Sequence, residues 1–179
     1  MNVELQLLEG ETLYQRVVLE VMLGAQESLW IATANVKDCQ VQLGRRYESI
    51  VRLFGELCDR GVEVRLLHAG VPSAAFRESL AEAGLAAHPQ FHMRRCPRVH
   101  FKAVLVDDRQ LYLGSANLTG AGMGAKSARR RNFELGILTA DRSLSDRVAQ
   151  LFHRIWEGLE CPECGRQDVC YVPLEEPDA

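Results

Sequence analysis

The chain has 179 residues, 47% hydrophobic and 25% charged, with 14 Gly and 6 Pro. That is enough for one ordinary core and excludes collagen-like, coiled-coil and disordered classes. No apolar run approaches the ~20 residues a membrane-spanning helix requires, and Met1–Glu4 shows no basic region leading into an apolar one, so the reading is cytoplasmic, without membrane insertion. Helical spacing runs through Leu13, Val17, Val18, Val21 and Met22 and predicts a helix over 7–25. Ser28–Val36 reads as a buried strand, Tyr47–Arg60 as a helix stopped by Gly61, and Val62–Leu67 as a strand. Pro72–Leu85 is a third helix. Val99–Val106 and Leu111–Leu113 are strands joined by the turn Asp107-Asp108-Arg109-Gln110. Gly120–Arg131 is a Gly- and Arg-rich loop, Phe133–Leu138 a strand with Phe133, Leu135 and Ile137 assigned to the core, and Leu144–Trp156 a last helix. Strands alternating with helices, plus a hairpin, give an α/β fold: a mixed β-sheet flanked by helices on both faces. The domain takes residues 1–160, and 161–179 form a short Cys-containing tail.

The net charge of −3 is unevenly spread. Residues 1–91 sum to −4 and 132–179 to −6, whereas 92–131 carry nine basic side chains against Asp107 and Asp108. A basic middle on an acidic frame points to a localised anionic ligand. The same stretch holds the reactive groups. His100-Phe101-Lys102, Ser115-Ala116-Asn117 and Asn132-Phe133-Glu134 each offer two polar side chains at strand spacing, hence on one face. Lys102, Ser115 and Asn117 suit an anion such as phosphate, His100 suits attack or proton shuttling, and Glu134 suits fixing the imidazole tautomer.

The order His100-x-Lys102-x4-Asp107-x6-Gly114-Ser115-x-Asn117, followed by Glu134, resembles the phospholipase D superfamily signature and looks most like its small bacterial single-motif nucleases. The resemblance implies that His100 is a nucleophile forming a phosphohistidine. It further implies that Lys102 and Asn117 bind phosphoryl oxygens with Ser115 nearby, that Glu134 orients the histidine, and that catalysis requires no metal. Asp107 belongs to the motif but lies off the His100/Lys102 face and reads as stabilising the hairpin. The family site uses two motifs, and His68, His88, His92 and His153 are not followed by Lys two residues on. A homodimer bringing two copies of His100 to one phosphate is therefore implied. The function read from this is a metal-independent phosphodiesterase acting on nucleic acid, DNA or RNA. The alternatives are a phospholipase D or phosphatidyl-transfer enzyme, and a non-catalytic DNA-binding module of a larger assembly.

Lys126, Arg129, Arg130 and Arg131 are assigned to flanking phosphates. Gly120–Ser127 fails the nucleotide-binding pattern G-x-x-x-x-G-K-[ST], because Ala125 precedes Lys126. Cys161-Pro-Glu-Cys164-Gly has the knuckle shape found at zinc sites and points to structural zinc, with Cys170 available as a third ligand and His153, Cys96 or His92 as the fourth; an iron–sulfur cluster and free thiols are the alternatives. Cys39 and Cys58 read as core or incidental.

Overall fold

A computed structural model of the chain describes residues 4–170. The leader reading at 1–3 and the tail from 171 onward lie outside the described residues. A seven-stranded sheet dominates, in the order β1 (Leu5–Glu9), β9 (Leu135–Thr139), β8 (Gln110–Gly114), β7 (Lys102–Val106), β2 (Ser28–Thr33), β5 (Glu63–His68), β6 (Phe91–Arg95). β2, β5 and β6 run parallel, and the remaining neighbours pair antiparallel. This is the mixed α/β sheet expected. A two-stranded hairpin, β3 (Gln40–Leu43) with β4 (Arg46–Ser49), stands apart from it.

Helix α1 opens with one α-helical turn, Glu11–Leu13, and continues as a π-helix over Tyr14–Met22. α2 spans Ile50–Asp59, α3 Ala74–Glu82 and α4 Arg142–Trp156. Ser49, Ser73 and Asp141 cap the last three, each side chain accepting a backbone N–H of the first turn. The main core joins Val17, Val18 and Met22 of α1, Phe54 and Leu57 of α2 and Phe76 of α3 to Ile31, Leu66, Val104 and Tyr112 of the sheet. On the opposite face α4 packs alone, through Phe152 and Trp156 against Ala32 and Leu67 and through Leu144 and Val148 against Ala103 and Leu111.

Several boundaries differ from the sequence reading. The helix expected from Leu7 begins at Glu11, because Gly10, at φ 54°, breaks the chain and Leu5–Glu9 pair with β9 instead. Tyr47–Ser49 belong to a strand, so the second helix starts at Ile50. β6 and the β3–β4 hairpin carried too little apolar alternation to be anticipated. The strand expected from Val99 starts at Lys102, leaving His100 in the segment before it. Phe133 is exposed, as is Leu135 (56%), while Ile137 is half-buried. These were assigned to the core; they lie on the sheet face that carries α4, but α4 packs against Ala103 of β7 and Leu111 of β8 and leaves β9 uncovered. With Leu5 and Leu7 (68% exposed) of β1 they form an uncovered apolar strip.

Candidate active site

The polar groups gather where β2 and β5 end, β7 begins and β8 ends. Ligands of open α/β sheets sit at such carboxyl-terminal strand ends. An open cleft of about 620 Å³ lies there, lined by Ala34, Asn35, Ala69, Gly70, Pro97–His100 and Arg166. His100 is exposed and Lys102 nearly buried. The Lys102 ammonium donates to the His100 carbonyl at 2.6 Å and stands 3.4 Å from its Nδ1. The imidazole and the ammonium therefore meet as the spacing implied, although His100 lies outside the strand.

Asn117 is fixed more tightly than its sequence suggested. Its Oδ1 accepts from the backbone N–H groups of Ala34 (3.2 Å) and Asn35 (3.1 Å) and from the Thr33 hydroxyl (3.3 Å). Backbone donors dictate the amide orientation, so only the Nδ2 hydrogens remain to offer an anion. Buried Thr33 shares its single hydroxyl hydrogen between Asn117 and the Asn35 carbonyl and accepts from Leu118 N–H. Thr33 and Asn35 were missed by sequence reasoning; a polar pair at the end of an apolar strand was the available signal.

Ser115 and Glu134 come together and hydrogen-bond to each other rather than to His100. The Ser115 hydroxyl donates to the Glu134 carboxylate and accepts from Leu135 N–H, and Asn132 Nδ2 donates to Glu134 at 3.0 Å. Glu134 was expected against the imidazole; here Ser115 and Asn132 occupy its oxygens, while Lys102 is the hydrogen-bond neighbour of His100 among the described residues. Behind them, a Cβ at Gly136 would lie 2.2 Å from the Tyr112 ring, and one at Gly114 2.4 Å from its hydroxyl. Burial pushes the Tyr112 phenol up to about 12.

Asp107 sits at the far end of β7. Asp107 and Asp108 both adopt φ 53°, the left-handed pair of a tight hairpin turn that Asp tolerates. The Asp107 carboxylate accepts from the N–H groups of Gln26 (3.0 Å), Glu27 (2.8 Å) and Ser28 (2.8 Å), tying the turn to the start of β2. Although it belongs to the same motif as the reactive side chains, it lies at the other end of β7 and holds the hairpin, the place its position off the His100/Lys102 face implied.

The basic loop is not uniform. Arg129 and Arg130 are exposed. Arg131, assigned to a flanking phosphate, instead pairs with Glu11 at 3.2 Å and donates to the Lys126 carbonyl, holding the loop to α1. Gly124, at φ 77°, brings the loop against Gly10, where a Cβ would stand 2.3 Å from the Gly10 carbonyl. Lys126 is exposed, with its stem beside Gly120.

Beside the cleft, the tail turns back on the segment before His100. The backbone N–H of Arg166 and the Arg98 guanidinium both engage the Cys164 sulfur and hold its thiol below the ordinary value. Burial, with the neighbouring sulfurs of Cys96, Cys170 and Cys164, pushes the Cys161 thiol up. Arg98 and Arg166 were not singled out from sequence. No described helix is long and apolar enough to cross a membrane.

A family profile described as "Cardiolipin synthase, PLD-like domain" matches residues 18–156. Cardiolipin synthase A of Pseudomonas putida is 34% identical over 109 residues, covering 55% of this chain and 20% of that protein. The chain thus spans about a fifth of the length of the curated relatives it matches. NucT from Helicobacter pylori superposes with a TM-score of 0.64 at 16% identity, covering 87% of this chain and 97% of that one. Nuc from Salmonella typhimurium, a phospholipase D family member, gives a TM-score of 0.62 at 17% identity, covering 86% and 95%.

Proposed function

Because this chain belongs to the phospholipase D-like domain family, we propose that it is a phosphodiesterase that cleaves nucleic acid through a covalent phosphohistidine on His100. The observation that carries the reading is the meeting of Lys102 with His100 on the wall of an open cleft, whose other wall holds Asn35, the residue to which the Asn117 amide oxygen is tied. Lys102 and Asn117 Nδ2 take the phosphoryl oxygens and stabilise the charge that grows on them. A His100 ring nitrogen forms a bond to phosphorus while the bond to the leaving oxygen breaks. A second imidazole protonates that oxygen, then takes a proton from the water that hydrolyses the P–N bond and restores His100.

That second imidazole is the His100 of another copy, because the sequence holds one His-x-Lys. The uncovered strip of Leu5, Leu7, Leu135 and Ile137 supports such pairing: apolar surface left open beside a half-complete site favours association. Nucleic acid is favoured over lipid by the positive segment 92–131 and by the near-complete coverage of the two compact relatives of known structure. Two observations favour a lipid phosphodiester instead, the first being the match to cardiolipin synthase in the family profile and at 34% identity. The second is a cavity of about 390 Å³, walled by Val99, Phe101, Leu151 and Ile155, which adjoins His100 and suits an apolar chain.

The test is purified protein incubated with labelled oligonucleotides and, separately, with phospholipid vesicles, without added divalent metal. Oligonucleotide cleavage with trapping of a phosphorylated His100 peptide is the expected result. Turnover of vesicles alone would move the assignment to phosphatidyl transfer, and turnover of neither would leave a binding module.

A further inference from the structure

We infer that Cys96, Cys161, Cys164 and Cys170 form a four-thiolate zinc site that clamps the C-terminal tail beside the phosphate cleft. The four cysteines come from two distant segments. Cys96 follows β6, where its N–H donates to the His68 carbonyl, and the other three lie in the turns after α4. All four line one cavity of about 20 Å³, room for a single water-sized sphere. Cys161 and Cys164 have the two-residue spacing of a metal knuckle, and their turn is closed by Cys164 N–H on the Cys161 carbonyl at 3.1 Å. Of the fourth ligands open from sequence, Cys96 is the one on this cavity; His92 and His153 do not line it.

Charge balance supports a divalent ion held by thiolates. Four thiols that lose four protons and bind one Zn²⁺ leave a net charge of −2. The two cationic side chains on the same cavity wall are Arg98 and Arg166, which bring +2. Both arginines also line the cleft at His100. Among the described residues no three candidate ligands already stand together as a metal group. Binding therefore draws the turns of 161–170 inward, which short turns without helix or strand allow. The consequence for the proposed reaction is positional. A closed clamp fixes Arg98 and Arg166 on the cleft wall, where an anionic substrate passes.

The experiment uses the full chain, expressed with zinc and exchanged into metal-free buffer, and reads metal content, thiol reactivity and the spectrum after cobalt substitution. About one zinc per chain, four protected thiols and an intense thiolate-to-cobalt band of tetrahedral geometry are expected. Cys96→Ser should weaken metal binding at least tenfold, and Cys161→Ser with Cys164→Ser should abolish it. Cobalt titration of the unaltered chain decides the matter if the variants fold poorly. Absence of stoichiometric metal, a cobalt spectrum without thiolate bands, or undiminished affinity in folded Cys96→Ser would overturn the site. None of these readouts requires turnover, so their failure is distinguishable from failure of the phosphodiesterase reading on which the positional consequence rests.

Discussion

The two ends of β7 divide one sequence motif into two kinds of work. Five residues, Lys102–Val106, separate them by about 17 Å of extended chain. At the first end His100 is exposed, and Lys102 donates to its carbonyl and reaches its ring, leaving the imidazole open to the cleft. At the other, Asp107 has no access to the cleft and spends its carboxylate on three backbone N–H groups. A motif spacing therefore encodes a strand length. It brings together residues that act on a ligand and residues that keep the strand in place, and the letters alone do not separate them.

The sharpest way to break this comparison is to show that the ends are interchangeable. His100→Ala should lower turnover by at least ~10⁴-fold, as removal of a nucleophile does, with little change in melting temperature. Asp107→Gly keeps the left-handed turn but removes the acceptor. It should cost about 2–4 kcal/mol, a fall in Tm of roughly 4–16 °C, while the surviving folded fraction keeps its turnover number. Loss of turnover without loss of stability in this variant would place Asp107 in the chemistry after all.

A smaller effect tests how far the reactive end extends. Leu7→Glu, on the exposed strip, should leave monomer stability within about 0.5 kcal/mol but shift light scattering toward monomer, with specific activity falling about tenfold at low protein concentration. Activity independent of concentration would mean that one chain suffices. Least in size, Arg129→Ala with Arg130→Ala should flatten the salt dependence of duplex binding by at most ~0.9 per lost contact and spare hydrolysis of bis(p-nitrophenyl) phosphate. Arg131→Ala should do the reverse, costing up to about 1 kcal/mol of stability through its contact with Glu11 and leaving the salt slope alone.

What could be read beforehand follows the physics of each signal. α2, α3 and α4 were visible because apolar spacing and capping residues such as Ser73 are local. Leu7–Glu9 of β1 were absorbed into the helix because Leu7 and Leu8 run on toward its apolar residues and the break between them is the single residue Gly10. The meeting of His100 and Lys102 survived a misplaced strand start because two residues of extended chain keep two side chains close whether or not the backbone is paired. The hydrogen-bond partners of Glu134 did not follow from its position. Its partners, Ser115 and Asn132, are set by how β8 and β9 stagger, a long-range register. Thr33 and Asn35 became meaningful only once Asn117, more than eighty residues away, was seen to need their groups.

The last helix is seated through an aromatic stack whose make-up has an optical consequence. Trp30 of the sheet lies 5.4 Å from Phe152, which lies 5.5 Å from Trp156, and Arg65 stands over both indoles while Arg94 covers Trp156. These are the only two tryptophans in the chain. All of its indole emission therefore originates at the junction between α4 and the sheet, with Trp156 five residues before Cys161. Undocking α4 would move both fluorophores from a stacked, cation-flanked setting into water. The protein thus carries a built-in gauge of helix seating, readable by emission wavelength without a label.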